Sequence, residues 1–180
     1  MACLLKIRRF YYTIFIATAN TLLYILPSSF LRVCLIRLLG GKVGAKTTIK
    51  GRVKIDFPWR LNIGSNCYIS SSVYLDCRGG KIFVSDNADI SEQSHIYTLS
   101  HDINSPDFCV KAGDVYIGER VWICFRAVVL PGSRIEDGCV IGANSVISGT
   151  TESNTLYQGV PCKKIKQLNT SRAKLVRSGK

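Results

Sequence analysis

The 180-residue chain is long enough for one domain with an ordinary core and short appendages. Its 24 basic residues against 12 acidic ones give a formal charge of +12, which favours anionic partners such as phosphates or acidic lipid. Nucleic acid is set aside, because no helix-turn-helix, zinc-finger or RNA-binding signature accompanies the charge. Eight cysteines, at 3, 34, 67, 77, 109, 124, 139 and 162, include no C-x-x-C pair. They read as small buried apolar residues in a reducing compartment.

Residues 10–26 carry no charge and would span about 26 Å as a helix, just short of a hydrocarbon core. Three readings are open. A signal peptide finds a poor cleavage site in Pro27-Ser28-Ser29. A transmembrane helix would be only moderately apolar, with Asn20 and three threonines inside it. An interfacial or re-entrant helix is the reading the charges favour, since Lys6, Arg8 and Arg9 precede the run and Arg32 and Arg37 follow it.

A second helix is expected from Pro27, with Ser28 or Ser29 as N-cap, to Gly40-Gly41. Leu31, Cys34, Leu35, Leu38 and Leu39 form its apolar face. Residues 1–41 are thus a membrane-contacting or capping helical segment, and both roles are compatible because a solenoid needs a capped end.

From residue 42 the pattern changes. Ile117, Ile123, Val129, Ile135, Ile141 and Ile147 recur at a period of six, and four residues after each stand Val121, Ala127, Ser133, Cys139, Ser145 and Thr151, nearly all small. A large aliphatic at i and a small residue at i+4 is the hexapeptide pattern of a parallel β-helix, in which three short strands make one triangular coil. The register runs back through Val43, Ile49 and Ile55, then Ile63, Ile69 and Leu75, then Val84, Ile90 and Ile96. Spacing widens to eight across residues 56–62 and to nine around residues 78–81, so corners should bulge there. Between Ile96 and Ile117 the register breaks for 21 residues, and residues 100–116 must leave the prism as a loop. The fold class is all-β, a parallel β-helix over residues 42–160.

After Ile147 the six-step pattern stops. Residues 157–162 read as a turn leading off the prism, and residues 161–180 as a basic C-terminal tail that opens with Lys163, Lys164 and Lys166 and continues through Arg172, Lys174, Arg177 and Lys180. The first lysine cluster follows the last coil directly, where a bound anion could be held.

The chain has two histidines, His95 and His101. Two, with no thiolate at ligand spacing, argue against a metal site. His95 precedes inward Ile96 and should face outward. His101 opens the loop and is either an ordinary surface histidine or a general base, since imidazole changes charge near neutrality.

The repeat, with Ser100-His101-Asp102, residues 117–123 (IGERVWI), Leu130-Pro131-Gly132, residues 140–146 (VIGANSV) and Gly159-Val160-Pro161-Cys162, resembles the hexapeptide-repeat O-acetyltransferases. Within that group it is similar to the maltose, galactoside and nodulation-factor enzymes, and more closely to the colanic-acid and O-antigen acetyltransferases. The resemblance covers about residues 42–166. It implies a left-handed β-helix, a homotrimer with active sites between subunits, and acetyl-CoA as donor. It implies that His101 removes a proton from a sugar hydroxyl attacking the thioester and then protonates the departing thiolate, while backbone N–H groups stabilise the oxyanion. No acyl-enzyme is required, so no cysteine need be a nucleophile.

By the same resemblance Trp122 lies beside the donor, Ala143 where pantetheine follows the coil edge, and Lys163 and Lys166 where basic side chains meet the CoA phosphates. Ser71 and Asp102 are candidate acceptor contacts. Asp76 is either an acceptor or orienting carboxylate or a corner cap. The sequence departs from the family at Cys124 and bulky Phe125, which would crowd the donor groove, and at Ser148-Gly149, where a Thr-Lys is customary. The chain is thus expected to be an O-acetyltransferase acting on a surface polysaccharide or its lipid-linked precursor, cytoplasmic and peripheral at the inner membrane face. A non-catalytic, membrane-attached trimeric scaffold of a glycan-assembly complex is the alternative. A serine acetyltransferase or a nucleotidyltransferase fusion would need an N-terminal region for which 41 residues leave little room.

Overall fold

The computed structural model describes residues 2–169, with side chains from residue 10 onward. Two helices, α1 (Ala2–Ile25) and α2 (Ser29–Leu38), precede a solenoid of short strands. The strands stack into three parallel faces, two of five strands and one of seven, the last ending in an antiparallel strand.

The inward residues are those of the six-residue register. Val43, Ile63, Val84, Ile117 and Ile135 stack up the first face. Ile49, Ile69, Ile90, Ile123 and Ile141 line the second, and Ile55, Leu75, Ile96, Val129 and Ile147 the third. All of them are buried, as are Val121, Ala127, Ser133, Cys139, Ser145 and Thr151 at the i+4 corners. Each buried aliphatic contributes about 1.5–3 kcal/mol of transfer free energy. The 21-residue interruption leaves the register intact, because Ile117 pairs with Val84 directly beneath it.

The corners repeat too. Between the first and second faces, Lys46, Asn66, Asn87, Arg120, Gly138 and Asn154 each adopt positive φ at one place per coil. Asparagine suits that conformation, and here its side chains form a ladder, Asn66 donating to Asn87 at 2.7 Å and Asn87 to Glu119 at 3.2 Å. Gly64 is required by close approach, since a Cβ there would lie 2.3 Å from Asp86 Oδ1.

The first coil has no strand below it, and an open strand edge exposes unpaired backbone groups. Helical side chains fill this role on every face. Arg37 donates through Nη2 to the Val43 carbonyl at 2.6 Å. Arg32, buried, donates through Nε to the Ile49 carbonyl at 2.9 Å, and the Ile49 N–H donates to Ser29 Oγ at 2.8 Å. Asn20 donates to the Ile55 carbonyl at 3.0 Å and accepts from the Ile55 N–H at 2.8 Å. Burial lowers the Arg32 pKa from the ordinary guanidinium value.

This capping corrects the expected face of α2. Ser28 is its N-cap, accepting from the Leu31 N–H at 3.2 Å. However, the buried face is Arg32, Val33 and Ile36, while Leu31, Cys34 and Leu38 are exposed. The helix turns towards the coil the residues that complete the strand edge, not its longest apolar stripe. Among the described residues no helix is long and apolar enough to cross a membrane. The α1 side chains Lys6, Arg8 and Arg9 lie outside the described side chains.

Two further expectations change. Residues 157–162 do not simply leave the prism: Thr155–Gln158 adds a strand to the second face beside Val140–Ile141, and Lys163–Gln167 pairs back antiparallel. Arg172, Lys174, Arg177 and Lys180 lie outside the described residues. Cys67, Cys77 and Cys139 are buried as small apolar residues, but Cys34 and Cys109 are exposed.

Candidate active site

The excursion after Ile96 is a projecting hairpin in which Leu99–His101 pairs antiparallel with Val110–Ala112, His101 opposite Val110. Asp102 shapes its tip: its Oδ1 accepts from the Asn104 N–H at 3.0 Å, its N–H donates to the Cys109 carbonyl at 2.8 Å, and its carbonyl accepts from Ser105 N–H at 3.2 Å. These bonds aim the Phe108 carbonyl at His101 Nδ1, 2.7 Å away. A carbonyl can only accept, so Nδ1 carries the proton of that contact. In the neutral imidazole Nε2 then holds a free lone pair, on an exposed ring. That lone pair is open to accept a proton or a hydrogen bond. Exposed Ile103 and Phe108 mark the same tip as apolar.

Below the hairpin, on the third face, lies a cluster that the sequence reading had only in part. Lys54, Tyr74 and His95 occupy one outward register position in successive coils, as do Asp56, Asp76 and Tyr97. Tyr74 donates to Asp56 Oδ2 at 2.6 Å, and its ring meets those of His95 and Tyr97 edge-on. Burial first, then the bond to Asp56, raises the Tyr74 pKa, so the phenol stays neutral. His95 faces outward, as its position before Ile96 implied, with Nδ1 3.1 Å from Tyr97 Oη.

Asp76 is fully buried and gripped by Arg78, Nε to Oδ1 at 2.9 Å and Nη2 to Oδ2 at 2.8 Å. Its Oδ1 also accepts the Arg78 N–H at 3.0 Å, a corner cap, so the group presented outward is Arg78. Hydrogen bonding to Asp76 raises the Arg78 pKa, keeping it charged. Arg78 lines a cleft of about 510 Å³ with Lys54, Asp56 and Asn20, walled by Ile16 and Phe57. The signal for it was the spacing: residues one coil apart in a solenoid are neighbours, and an Asp-x-Arg corner is locked locally.

Ser71 is elsewhere. It lies at the corner between second and third faces, in a smaller polar pocket of about 300 Å³ with Arg52 and Glu92. The structure does not bring Ser71 to the Asp76 corner.

Trp122 faces outward on the second face, its indole N–H donating to Ser91 Oγ at 2.9 Å. Pairing runs from Trp122 to Val140, Leu156 and Lys166, so Lys166 stands three strand spacings away, about 14 Å. Lys163 opposes Gln158 on the same edge, and a bulge separates the two lysine positions. Neighbouring Lys164 is paired with Glu152 at 2.5 Å. Ala143 is exposed at the following corner, one coil above exposed Phe125, whose carbonyl accepts from Asn144 N–H at 3.0 Å. Trp122, Ala143, Lys163 and Lys166 therefore share the second face and its corner, whereas His101 leaves the far side of the third. Among the described residues no group of three or more His, Cys, Asp or Glu is placed to hold a metal ion.

A triangular coil with an aliphatic every six residues, one projecting loop histidine and a lysine-bearing terminal strand defines a hexapeptide-repeat transferase. The family model for bacterial transferase hexapeptide (six repeats) matches residues 114–149. Over 136 residues the chain is 35% identical to Escherichia coli WcaF, whose name assigns it provisionally to acetyl transfer in colanic acid biosynthesis; the match covers 76% of this chain and 74% of that one. The maltose O-acetyltransferase of Clostridium difficile superimposes with a TM-score of 0.78 at 26% identity, over 87% of this chain and 86% of that one. A Vibrio cholerae hexapeptide-repeat acetyltransferase, solved with acetyl coenzyme A, shares the fold with a TM-score of 0.79 at 23% identity, over 86% of each chain. The chain belongs to the hexapeptide-repeat acetyltransferase family, and it is an acyltransferase. Membership displaces the scaffold reading.

Proposed function

We propose that the protein transfers an acetyl group from acetyl-CoA to a hydroxyl of a saccharide, a surface polysaccharide or its lipid-linked precursor, by direct transfer in a ternary complex. The observation that carries this is the His101 to Phe108 contact, which leaves Nε2 as the proton acceptor. His101 takes the proton of the attacking hydroxyl and returns it to the departing sulfur. Backbone N–H groups at the cleft are the donors assigned to the charge that builds on the carbonyl oxygen.

The residues suit the donor. Outward Trp122 and small Ala143 give a flat edge for a thin pantetheine chain, and exposed Lys163 and Lys166 are point charges for phosphate. Phe125, one coil below Ala143, narrows that edge. Acetyl-CoA supplies the activated acyl group; everything else is orientation by the protein. The acceptor is assigned to the third-face cleft, where Arg78, Lys54 and Asp56 offer polar partners beside Tyr74. Asp102 acts here through the loop tip it folds. Ser71 is kept as an acceptor contact only through a neighbouring subunit.

Because His101 and the donor residues stand on different edges of one chain, the reading requires a homotrimer whose sites are shared between neighbours, the apolar loop tip with Ile103 and Phe108 reaching across. It also sets the enzyme in the cytoplasm, peripheral at the inner membrane face, beside a membrane-held acceptor. The test is transfer of label from radiolabelled acetyl-CoA to membrane glycolipids and soluble oligosaccharides. Label should enter a glycan fraction and fall by about 10²–10⁴-fold in His101→Ala. Undiminished transfer by that variant would sink the assignment of the base.

A further inference from the structure

Charge is not spread evenly along this fold. Residues 1–60 hold 11 basic residues and a single acidic one, Asp56, whereas residues 61–169 hold nine basic and eleven acidic. Residues 1–60 thus carry a net charge of +10 and residues 61–169 one of −2, while the other +4 belongs to residues 170–180, outside the described residues. On the first coil Lys42 is on the first face, Lys46 on the next corner, Lys50 and Arg52 on the one after, and Lys54 on the third face, all exposed. Asp56 offsets only one of them: it is buried, bonded to Tyr74, and lies 4.0 Å from Lys54 Nζ. The result is a cationic belt around the base of the prism.

Beneath the belt lie the helices, with their polar side chains turned inward to cap the strand edges. Their outer sides are apolar at helical spacing. Tyr11, Phe15, Leu22 and Ile25 are exposed along α1. On α2, Phe30 is 74% and Leu38 83% exposed.

We infer that this end is a docking surface for an anionic lipid bilayer, the aromatic and aliphatic side chains entering the headgroup boundary and the belt meeting lipid phosphates above it. A second copy fits the surface poorly, because end-to-end association would set one cationic belt against another. Docked this way, the solenoid stands with its first coil towards the membrane, and the cleft between α1 and Lys54, Asp56 and Arg78 opens at headgroup level. The purpose of such docking rests on the reading of a membrane-held acceptor; the binding itself does not.

The experiment is co-sedimentation of the full chain with vesicles of phosphatidylcholine, alone or with about 30 mol% phosphatidylglycerol. Wild type should bind the anionic vesicles selectively and be released as salt rises from about 0.1 to about 0.5 M. Lys42, Lys46 and Lys50 changed together to Gln should weaken binding at least tenfold, each lysine being worth about fivefold. Leu38→Asp should remove binding even at low salt. Calorimetric CoA binding, and vesicle binding by His101→Ala, should both stay as in wild type in the respective variants, so failure of the transfer reading is told apart from failure of docking. Equal binding to both vesicle types, no binding, or end-to-end association dispersed by Leu38→Asp would overturn the inference.

Discussion

Asn20 sits in the uncharged C-terminal part of α1 and makes a two-point contact with the edge strand, accepting from the Ile55 N–H and donating to the Ile55 carbonyl. Asn20→Leu keeps the size and removes both bonds. Each backbone group left unpaired at a partly buried edge costs about 1–3 kcal/mol. Leucine's better helix propensity returns about 0.5 kcal/mol. The expected net loss is about 1.5–5.5 kcal/mol, which at about 2–4 °C per kcal/mol for a chain of this size lowers the unfolding temperature by about 3–22 °C. Asn20→Ala should cost less, because a smaller side chain lets water reach the Ile55 groups. Thermal unfolding gives the global figure and amide exchange the local one. Ile55 should lose protection selectively, while Tyr74, whose N–H is bonded within the stack to the Ser94 carbonyl at 3.0 Å, keeps its own. A leucine variant as stable as wild type, or more stable, would refute the idea that α1 is held by edge capping.

Two further outcomes follow from the site and the core. If His101 of one subunit serves the second face of another, an equimolar random mixture of His101→Ala with a Lys163→Glu and Lys166→Glu variant should recover activity at about one quarter of all sites, one in each mixed trimer, since each site needs two intact halves; no recovery would show that both halves belong to one chain. Burial raises the Cys77 thiol from 9.0 to about 12. The folded state holds that proton more tightly than the unfolded state, so its contribution is complete below pH 9.0 and is lost as pH climbs towards 12. Between pH 9 and 11, stability of Cys77→Ser by denaturant titration should fall less steeply than wild type, by about 1.4 kcal/mol per unit; identical slopes would contradict it.

The core was legible because the repeat is a strict geometric constraint. One inward aliphatic per strand, as at Ile117, Ile123 and Val129, leaves only one register, and a slip of one residue would turn the whole set outward. The loop was legible for the same reason in reverse, as the place where Ile96 and Ile117 fail to keep step. Non-local partnerships were not legible. Asp76 could be either an acceptor ligand or a cap until Arg78 was seen gripping it through both oxygens, and Ser71 could not be separated from the loop histidine until faces were assigned. Lys54, Tyr74 and His95 look unrelated in sequence, yet they stack in successive coils.

The misjudged face of α2 has a more general cause. An amphipathic reading assumes that a helix buries apolar residues because its neighbour is an apolar surface. Here the neighbour is a strand edge, whose demand is for donors and acceptors. Asn20, Ser29, Arg32 and Arg37 meet that demand from the helical side, which commits the polar residues inward and leaves Phe30, Leu31 and Leu38 outward. The first coil in turn carries its lysines outward, since its inward positions are taken by Val43, Ile49 and Ile55. The same arrangement that closes the end of the prism therefore builds an apolar layer beneath a cationic belt. Capping and the proposed lipid contact fall to opposite faces of one pair of helices, and substitutions at Asn20 and at Leu38 should separate them, the first acting on the unfolding temperature and the second on vesicle binding.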